Sequence, residues 1–266
     1  MRLSRFVMLA AGTLGFAACK SDSVTTPALP SLAGVRFVNA LSDTGAVDIR
    51  MIDQVEFSAV ANQLAFRAGT ESQPTEAKAR HIRVFPNSFD QAITQKFMLD
   101  TTITLTADSR VTLLLTGSAR AKTVKFVVIN DSPPAVTAGQ IAVRAVNTAT
   151  GAIDAYVVNT TADAVPGGTP LTNVAPLSTS AYVTRAIGAA AIRVTDAGSA
   201  TVNVSAAGPT APALLAGELP AAGVNSAGTA FSVFYFPRSV AGTTAPQTAA
   251  FLIPGAIWFV DRVPTS

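Results

Sequence analysis

Apolar and polar residues alternate with a period of two along much of this chain. Val111, Leu113 and Leu115 fall on one side of an extended segment, with Thr112 and Thr116 opposite. Val124, Phe126 and Val128 alternate with Lys125, and Phe231, Val233 and Tyr235 alternate with Ser232. Successive side chains of a strand point to opposite faces, so these segments predict strands with one buried and one solvated face. The same pattern predicts strands over 34–40, 46–52, 80–85, 101–106, 109–116 and 122–130. It does so again over 140–147, 152–158, 190–195, 200–205, 229–236, 247–253 and 256–261. Six or seven short strands per ~100 residues, separated by turn residues, predict an all-β fold of two tandem immunoglobulin-like antiparallel β-sandwiches.

The two sets of strands repeat one another. Val35-Arg36-Phe37-Val38-Asn39 is echoed by Val143-Arg144-Ala145-Val146-Asn147, and Gly45-Ala46-Val47-Asp48 by Gly151-Ala152-Ile153-Asp154. His81-Ile82-Arg83-Val84 matches Ala191-Ile192-Arg193-Val194. The offsets are 108, 106 and 110 residues, in the same order, which suits a duplicated domain and is too long for a solenoid unit. Asn130-Asp131-Ser132-Pro133-Pro134 opens a turn-rich run that ends at Gly139. The first repeat is therefore expected over 34–132, a linker over 133–139, and the second repeat over 140–266.

The opening strand, Val35-Arg36-Phe37-Val38-Asn39-Ala40, followed by Ala46-Val47-Asp48, resembles the start of the bacterial domain of unknown function 4397 family. His81-Ile82-Arg83-Val84 and Asp108-Ser109-Arg110-Val111-Thr112-Leu113 are similar to two later strands of that family. The resemblance takes in both repeats, about 34–130 and 140–261, and is stronger in the first. It implies a secreted or lipid-anchored protein, often built in tandem, with no established activity, and it brings no catalytic residue.

The N-terminus carries its own pattern. Arg2 and Arg5 precede an apolar run from Phe6 to Gly15, and Phe16-Ala17-Ala18-Cys19 resembles a lipobox with Phe where Leu is usual. The apolar run is too short for a membrane-spanning helix, which needs roughly 20 residues, and reads as a signal peptide over 1–18. The resemblance implies cleavage before Cys19 and acylation of that residue, the chain's single cysteine. Several acyl chains anchor a protein stably where one does not. Residues 19–33, polar and proline-bearing, read as a lipidated N-terminus and flexible tether. Lys20 follows the cysteine, and the sorting rule that goes with the resemblance then favours the outer membrane of a Gram-negative-type envelope.

Composition narrows the function classes. Removing Arg2 and Arg5 takes the formal charge from +3 to +1, and only 13 % of residues are charged. Neither a basic field nor a Lys/Arg cluster is present for nucleic acid. With one cysteine there is no disulfide within the chain, so apolar packing must hold each repeat.

Candidate chemistry is sparse. His81 is the single histidine and its counterpart in the second repeat is Ala191, so it reads as a strand residue on a solvated face and not as a triad base. One His and one acylated Cys cannot supply a zinc site. Asp48 and Asp154 recur at matching positions, with Asp53 and Asp163 nearby, but no Asp-x-Asp-x-Asp-Gly loop accompanies them. Together with Asn39 and Asn147 they are expected to cap turns. Gly151 and Gly167-Gly168 belong to turns, and no phosphate-binding glycine motif occurs. Tyr156, Tyr182, Tyr235 and Trp258 could form a sugar platform, but Phe231–Phe236 and Ile257–Val260 are denser in aromatics than one solvated face needs, which favours packing in a core or between domains. No catalytic, cofactor or metal residue is singled out. The expectation is a membrane-anchored, non-catalytic binding, adhesion or scaffold module whose partner is an envelope polysaccharide or protein. The alternative is a carbohydrate-active hydrolase using a pair of carboxylates.

Overall fold

The computed structural model describes residues 28–53, 59–213 and 220–264. The expected signal peptide, Cys19 and most of the tether lie outside these residues. Ser31–Ser266 forms one compact unit. None of the described helices is long and apolar enough to cross a membrane.

The first repeat contains β1 (Leu32–Asn39), β2 (Val47–Met51), β3 (Ala61–Leu64), β4 (Gln73–Glu76), β5 (Ala79–Pro86), β6 (Leu99–Thr104), β7 (Arg110–Thr116) and β8 (Lys125–Asn130). A one-turn helix, α1 (Gln91–Thr94), is capped by Asp90 between β5 and β6. The second repeat contains β9 (Gln140–Asn147), β10 (Ile153–Val158), β11 (Thr169–Val174), β12 (Val183–Ala186), β13 (Ala191–Asp196), β14 (Val202–Ala207), β15 (Ala230–Phe236) and β16 (Gly255–Arg262). Sheet orders β4-β1-β7-β8 and β3-β2-β5-β6 in the first repeat recur as β12-β9-β15-β16 and β11-β10-β13-β14 in the second. The chain is thus two β-sandwiches of one topology, strand for strand.

Three details differ from the periodicity. Among the described residues each repeat has eight strands, because β3, β4, β11 and β12 are short edge strands with few apolar residues and, in β4 and β11, a proline. Edge strands need only one hydrogen-bonded side, so they tolerate this composition and leave little periodic signal. Residues 247–253 form turns, not a strand. The pairs β1–β7 and β9–β15 are parallel, while every other strand pair among the described residues is antiparallel.

The matching polar residues hold matching irregularities. The amide of Gln63 donates to Asp48 at 2.8 Å, and that of Asn173 donates to Asp154 at 2.6 Å. Gln63 and Asn173 have left-handed φ values of 51° and 53° beside the bulges of β2–β3 and β10–β11. A carboxylate that accepts the bulged amide fixes a kink the ladder would otherwise leave unpaired. Asn39 and Asn147 are fully buried; each side chain accepts from the amide two residues on and donates to the carbonyl of Leu64 or of Val174.

Each sandwich has its own core. Val35, Phe37, Ile49, Ile82, Val84, Leu113 and Leu115 fill the first; Val143, Ala145, Ala155, Ile192, Val194, Phe231 and Val233 fill the second. Alternate positions of β1, β7, β9 and β15 were expected to face solvent, and they do not. Val38, Leu114, Val146, Phe234 and Phe236 join a third buried cluster, so the two central sheets pack on each other through their outer faces. Phe234 meets Phe259 edge to face at 5.1 Å and stacks with Phe236 at 6.1 Å. Gly69 sits against this layer, where a Cβ would come within 2.6 Å of the Phe259 ring.

At one end of the interface the layer is ionic. The Arg36 guanidinium donates to Thr112 of its own sheet (2.9 Å), then crosses to the Val260 carbonyl (3.2 Å) and Asp261 (2.7 Å) of the other repeat. Arg144 mirrors it, donating to Ser232 of its own sheet (2.7 Å), then to the Asn130 carbonyl (2.8 Å) and Asp131 (2.5 Å). Arg36 also reaches Asp131 at 3.2 Å. Thr112 donates to Asp131, and Ser232 and Tyr182 donate to Asp261. Burial and the neighbouring Asp261 push the Tyr182 hydroxyl well above its ordinary pKa.

Two expectations follow. Phe234→Ala should lower the unfolding free energy by about 3–5 kcal/mol, because it opens a cavity where no water enters. A single transition in urea, followed by tryptophan fluorescence and far-UV circular dichroism, would show both repeats failing together; separate transitions would show that the interface does not couple them. Asp131→Ala should cost about 3–5 kcal/mol by stranding Arg144, whereas replacing Arg36, Arg144, Asp131 and Asp261 together by Met and Leu should cost much less. Urea midpoints of the two variants check the ranking, and equal losses would contradict it.

Candidate functional site

In each central sheet the two parallel strands end at the same place, and beyond those four ends the repeats part. The gap is a cleft of about 1140 Å³. Ala40 and Ser42 follow β1, Thr116 to Ser118 end β7, and Thr123 and Lys125 open β8. The second repeat supplies Thr148 to Thr150 after β9, Pro176 and Leu177 after β11, and Pro237 to Ala241 with Leu252 after β15. The chain enters β1 at Leu32, eight residues before Ala40. The cleft therefore lies about 26 Å along the strand from that entry, at the ~3.3 Å rise of a strand residue.

Local chemistry makes the walls firm. Asp43 accepts from the Ser118 hydroxyl (2.6 Å) and from the amides of Ala119 (3.0 Å) and Arg120 (3.1 Å), which fixes the turn between β7 and β8. Burial pushes its carboxyl up, but these hydrogen bonds outweigh burial and hold it below its ordinary pKa. Gly117 opens that turn at a φ of 105°, where a Cβ would lie 2.2 Å from the Thr123 carbonyl oxygen. Only glycine fits such a position.

The opposite wall, 237–253, belongs to the second repeat but is strapped onto the first. The Val240 amide donates to the Ser42 carbonyl (2.8 Å), the Gly45 amide to the Thr244 hydroxyl (3.2 Å), and Arg120 to the Gly242 carbonyl (2.5 Å). Arg67, at a left-handed φ of 66°, donates to the carbonyls of Ala250 (3.0 Å), Pro237 (2.8 Å) and Ile253 (2.5 Å). Its guanidinium lies against the Phe66 and Phe251 rings. Desolvation lowers its pKa from the ordinary arginine value.

The residues singled out from sequence are elsewhere. His81 sits on the outer face of β5, where it and Arg83 pair with Asp100 of β6. Those hydrogen bonds hold the Asp100 carboxyl below its ordinary value. Asp53 accepts from the His81 amide and pairs with Arg80, and Asp163 accepts from Thr160 and Asn159, so neither joins Asp48 or Asp154. Among the described residues no three His, Cys, Asp or Glu side chains are grouped to hold a metal ion.

The aromatics form no shared platform. Tyr235 and Tyr156 are 6 % exposed, Trp258 packs edge to face on Phe231, and Tyr182 stacks under Arg144. Arg36, Arg144 and the cleft itself were not read from sequence. A charged residue at the same place in both repeats, inside otherwise apolar strands, was the available signal for the arginines. No periodicity marks the cleft, which is made of loops.

Among known proteins, none of the curated sequences matches this chain. A solved structure described as "Alpha-glucan recognition by family 41 carbohydrate-binding modules from streptococcal virulence factors" is 11 % identical, with 64 % of this chain and 84 % of that one covered. Its TM-score is 0.21, too low for the two folds to be equated. The family model described as "Domain of unknown function (DUF4397)" matches residues 33–156, which run through β1–β8 and the linker to Tyr156 in β10. The match does not continue through the second repeat, although that repeat has the same strand order. The resemblance carried by the Val-Arg-Phe-Val-Asn-Ala strand is thus shown over residues 33–156, which match the DUF4397 family.

Proposed function

We propose that this chain is a lipid-anchored cell-envelope protein, held through Cys19, whose stacked repeats form a non-catalytic binding module. The chemistry of the cleft carries the second half of this reading. Its walls bear hydroxyl, aliphatic and proline side chains, and the only ionisable ones among the described residues are Lys125 and Arg238. Hydrolysis of a glycosidic bond needs two carboxyl groups facing each other across the substrate. The carboxylates near the interface are committed instead: Asp131 and Asp261 to the arginines, and Asp43 to the β7–β8 turn. Hydroxyls and two cations can orient a ligand, and the wall carries no facing pair of carboxyl groups.

The anchor follows from the lipobox-like Phe16-Ala17-Ala18-Cys19, with a tether that reaches the folded unit near Leu32. Its outer-membrane destination is proposed on Lys20.

Cys19→Ala should move the protein from the membrane pellet to the soluble fraction after osmotic lysis; unchanged sedimentation with membranes would refute the anchor. Incubation of the protein with envelope polysaccharides should release no new reducing ends. Their appearance, abolished by a carboxylate variant, would establish the hydrolase reading in its place.

A further inference from the structure

The inter-repeat cleft has a composition that selects a ligand class. Its aliphatic wall, formed by Ala40, Pro176, Leu177, Pro237, Val240 and Leu252, is unusually bare for loop residues. Val240 and Leu252 remain 44 % and 39 % exposed beside it. The two exposed cations come from opposite repeats, Lys125 from the first and Arg238 from the second, and no carboxylate on the wall offsets them. Ser239, next to Arg238 in sequence, is 2 % exposed, and among the described residues its hydroxyl has no hydrogen-bond partner, although its amide is bonded to the Phe251 carbonyl. A buried hydroxyl without a partner is uncommon in a finished structure, and a site that accepts a ligand is one place where it is tolerated.

Sugars are commonly held on aromatic faces, and this wall has no aromatic side chain. An extended peptide would add to a sheet edge, whereas the cleft is lined by loops and by the ends of central strands. An apolar wall with a few convergent polar groups is the usual makeup of a small-molecule site.

We propose that the cleft binds an amphipathic anion, an aliphatic chain that ends in a carboxylate or phosphate. The chain lies along Leu177, Val240 and Leu252, and the head is placed between Lys125 and Arg238. Ser239 supplies a hydroxyl at the base of the same wall. The shared chemistry fits a free fatty acid or the monoacyl phosphate portion of a lipid. This inference rests on the binding-module reading but not on the anchor, so failure at Cys19 leaves it standing.

The test is calorimetric titration of the full chain carrying Cys19→Ala, without detergent, with octanoate, decanoate, decyl phosphate and decanol. Decanoate should bind about tenfold more tightly than octanoate, the ~three- to fourfold per methylene expected of a buried chain. Decanol should bind at least tenfold more weakly than the better anion. Tighter binding of decyl phosphate than of decanoate would assign a lipid phosphate, and the reverse order a fatty acid; either supports the site. Lys125→Gln combined with Arg238→Gln should lose at least tenfold for the anions and leave decanol unchanged. Ser239→Ala should weaken decanoate severalfold while the unliganded Tm holds or rises, which a purely structural serine would not do. Absence of anion binding, no dependence on chain length, equal binding of decanol, or affinity indifferent to Lys125 and Arg238 would overturn the proposal. Binding of a polyglutamate peptide in place of decanoate would overturn it in favour of an acidic protein partner.

Discussion

Two guanidinium groups crossing between the repeats set the frame for everything else in this fold. Arg36 and Arg144 each bind a hydroxyl in their own sheet and a carbonyl and carboxylate in the other repeat. The apolar layer beside them is large but has no direction; aliphatic and phenyl groups would tolerate a shift of one sheet over the other. The ionic layer would not. Sliding the sheets by one residue would break the two ion pairs that cross between repeats, Arg36–Asp261 and Arg144–Asp131, inside a buried layer, at a cost of several kcal/mol. Burial itself works against the charges, since it pushes the Asp131 carboxyl above its ordinary pKa despite Arg36 and Thr112. The network therefore contributes less to stability than to a single register, and the apolar layer supplies most of the binding between repeats.

Such a layer explains why the strand pattern was read correctly and its outer face was not. Thr112 and Ser232 look like solvent-facing residues in a half-buried strand, and alone they would be. In the folded chain they are buried and hydrogen-bond the arginines, because a second sheet lies where solvent was expected. Periodicity reports which residues share a face, not what covers that face. The dense aromatics of Phe231–Phe236 did carry the missing information: Phe231 faces the sandwich core while Phe234 and Phe236 face the other repeat. Repetition carried the rest. Val-Arg-x-Val-Asn recurs because Val faces the sandwich core, Arg the interface ion cluster, the next Val the interface apolar layer, and Asn the turn that leaves the strand. Edge strands such as β4 and β12 left no comparable trace, because little of their surface is buried.

The cleft lies on a further level, where no single segment carries the signal. Its walls come from loops that are distant in sequence, at 40–42, 116–125, 148–150, 176–177 and 237–252. What brings them together is the parallel pairing of β1 with β7 and of β9 with β15, which ends the central strands of each sheet at one side. Asp43 and Gly117 shape one wall through local turn chemistry, and Gly117 is the kind of residue a sequence can flag. Arg67 is not. Its role depends on reaching from the first repeat into the 237–253 loop of the second, a contact across 170 positions at Pro237.

The interface thus has three zones, and their order determines where a ligand can sit. The ion cluster closes the end nearest Leu32, where Asp131 follows β8 and Asp261 is the next-to-last residue of β16. Phe234, Phe236, Val38 and Val146 fill the middle and are fully buried. Past them lies the cleft, lined by loops of both repeats. Arg67, Val240 and Arg120 bridge it on one side, which keeps the cleft open yet bounded. A site at this place is shared by both repeats and exists only while they are stacked. Occupancy of the cleft and integrity of the arginine cluster are then linked properties: a ligand that touches Lys125 and Arg238 together stabilises the same stacked state that Arg36 and Arg144 hold in register.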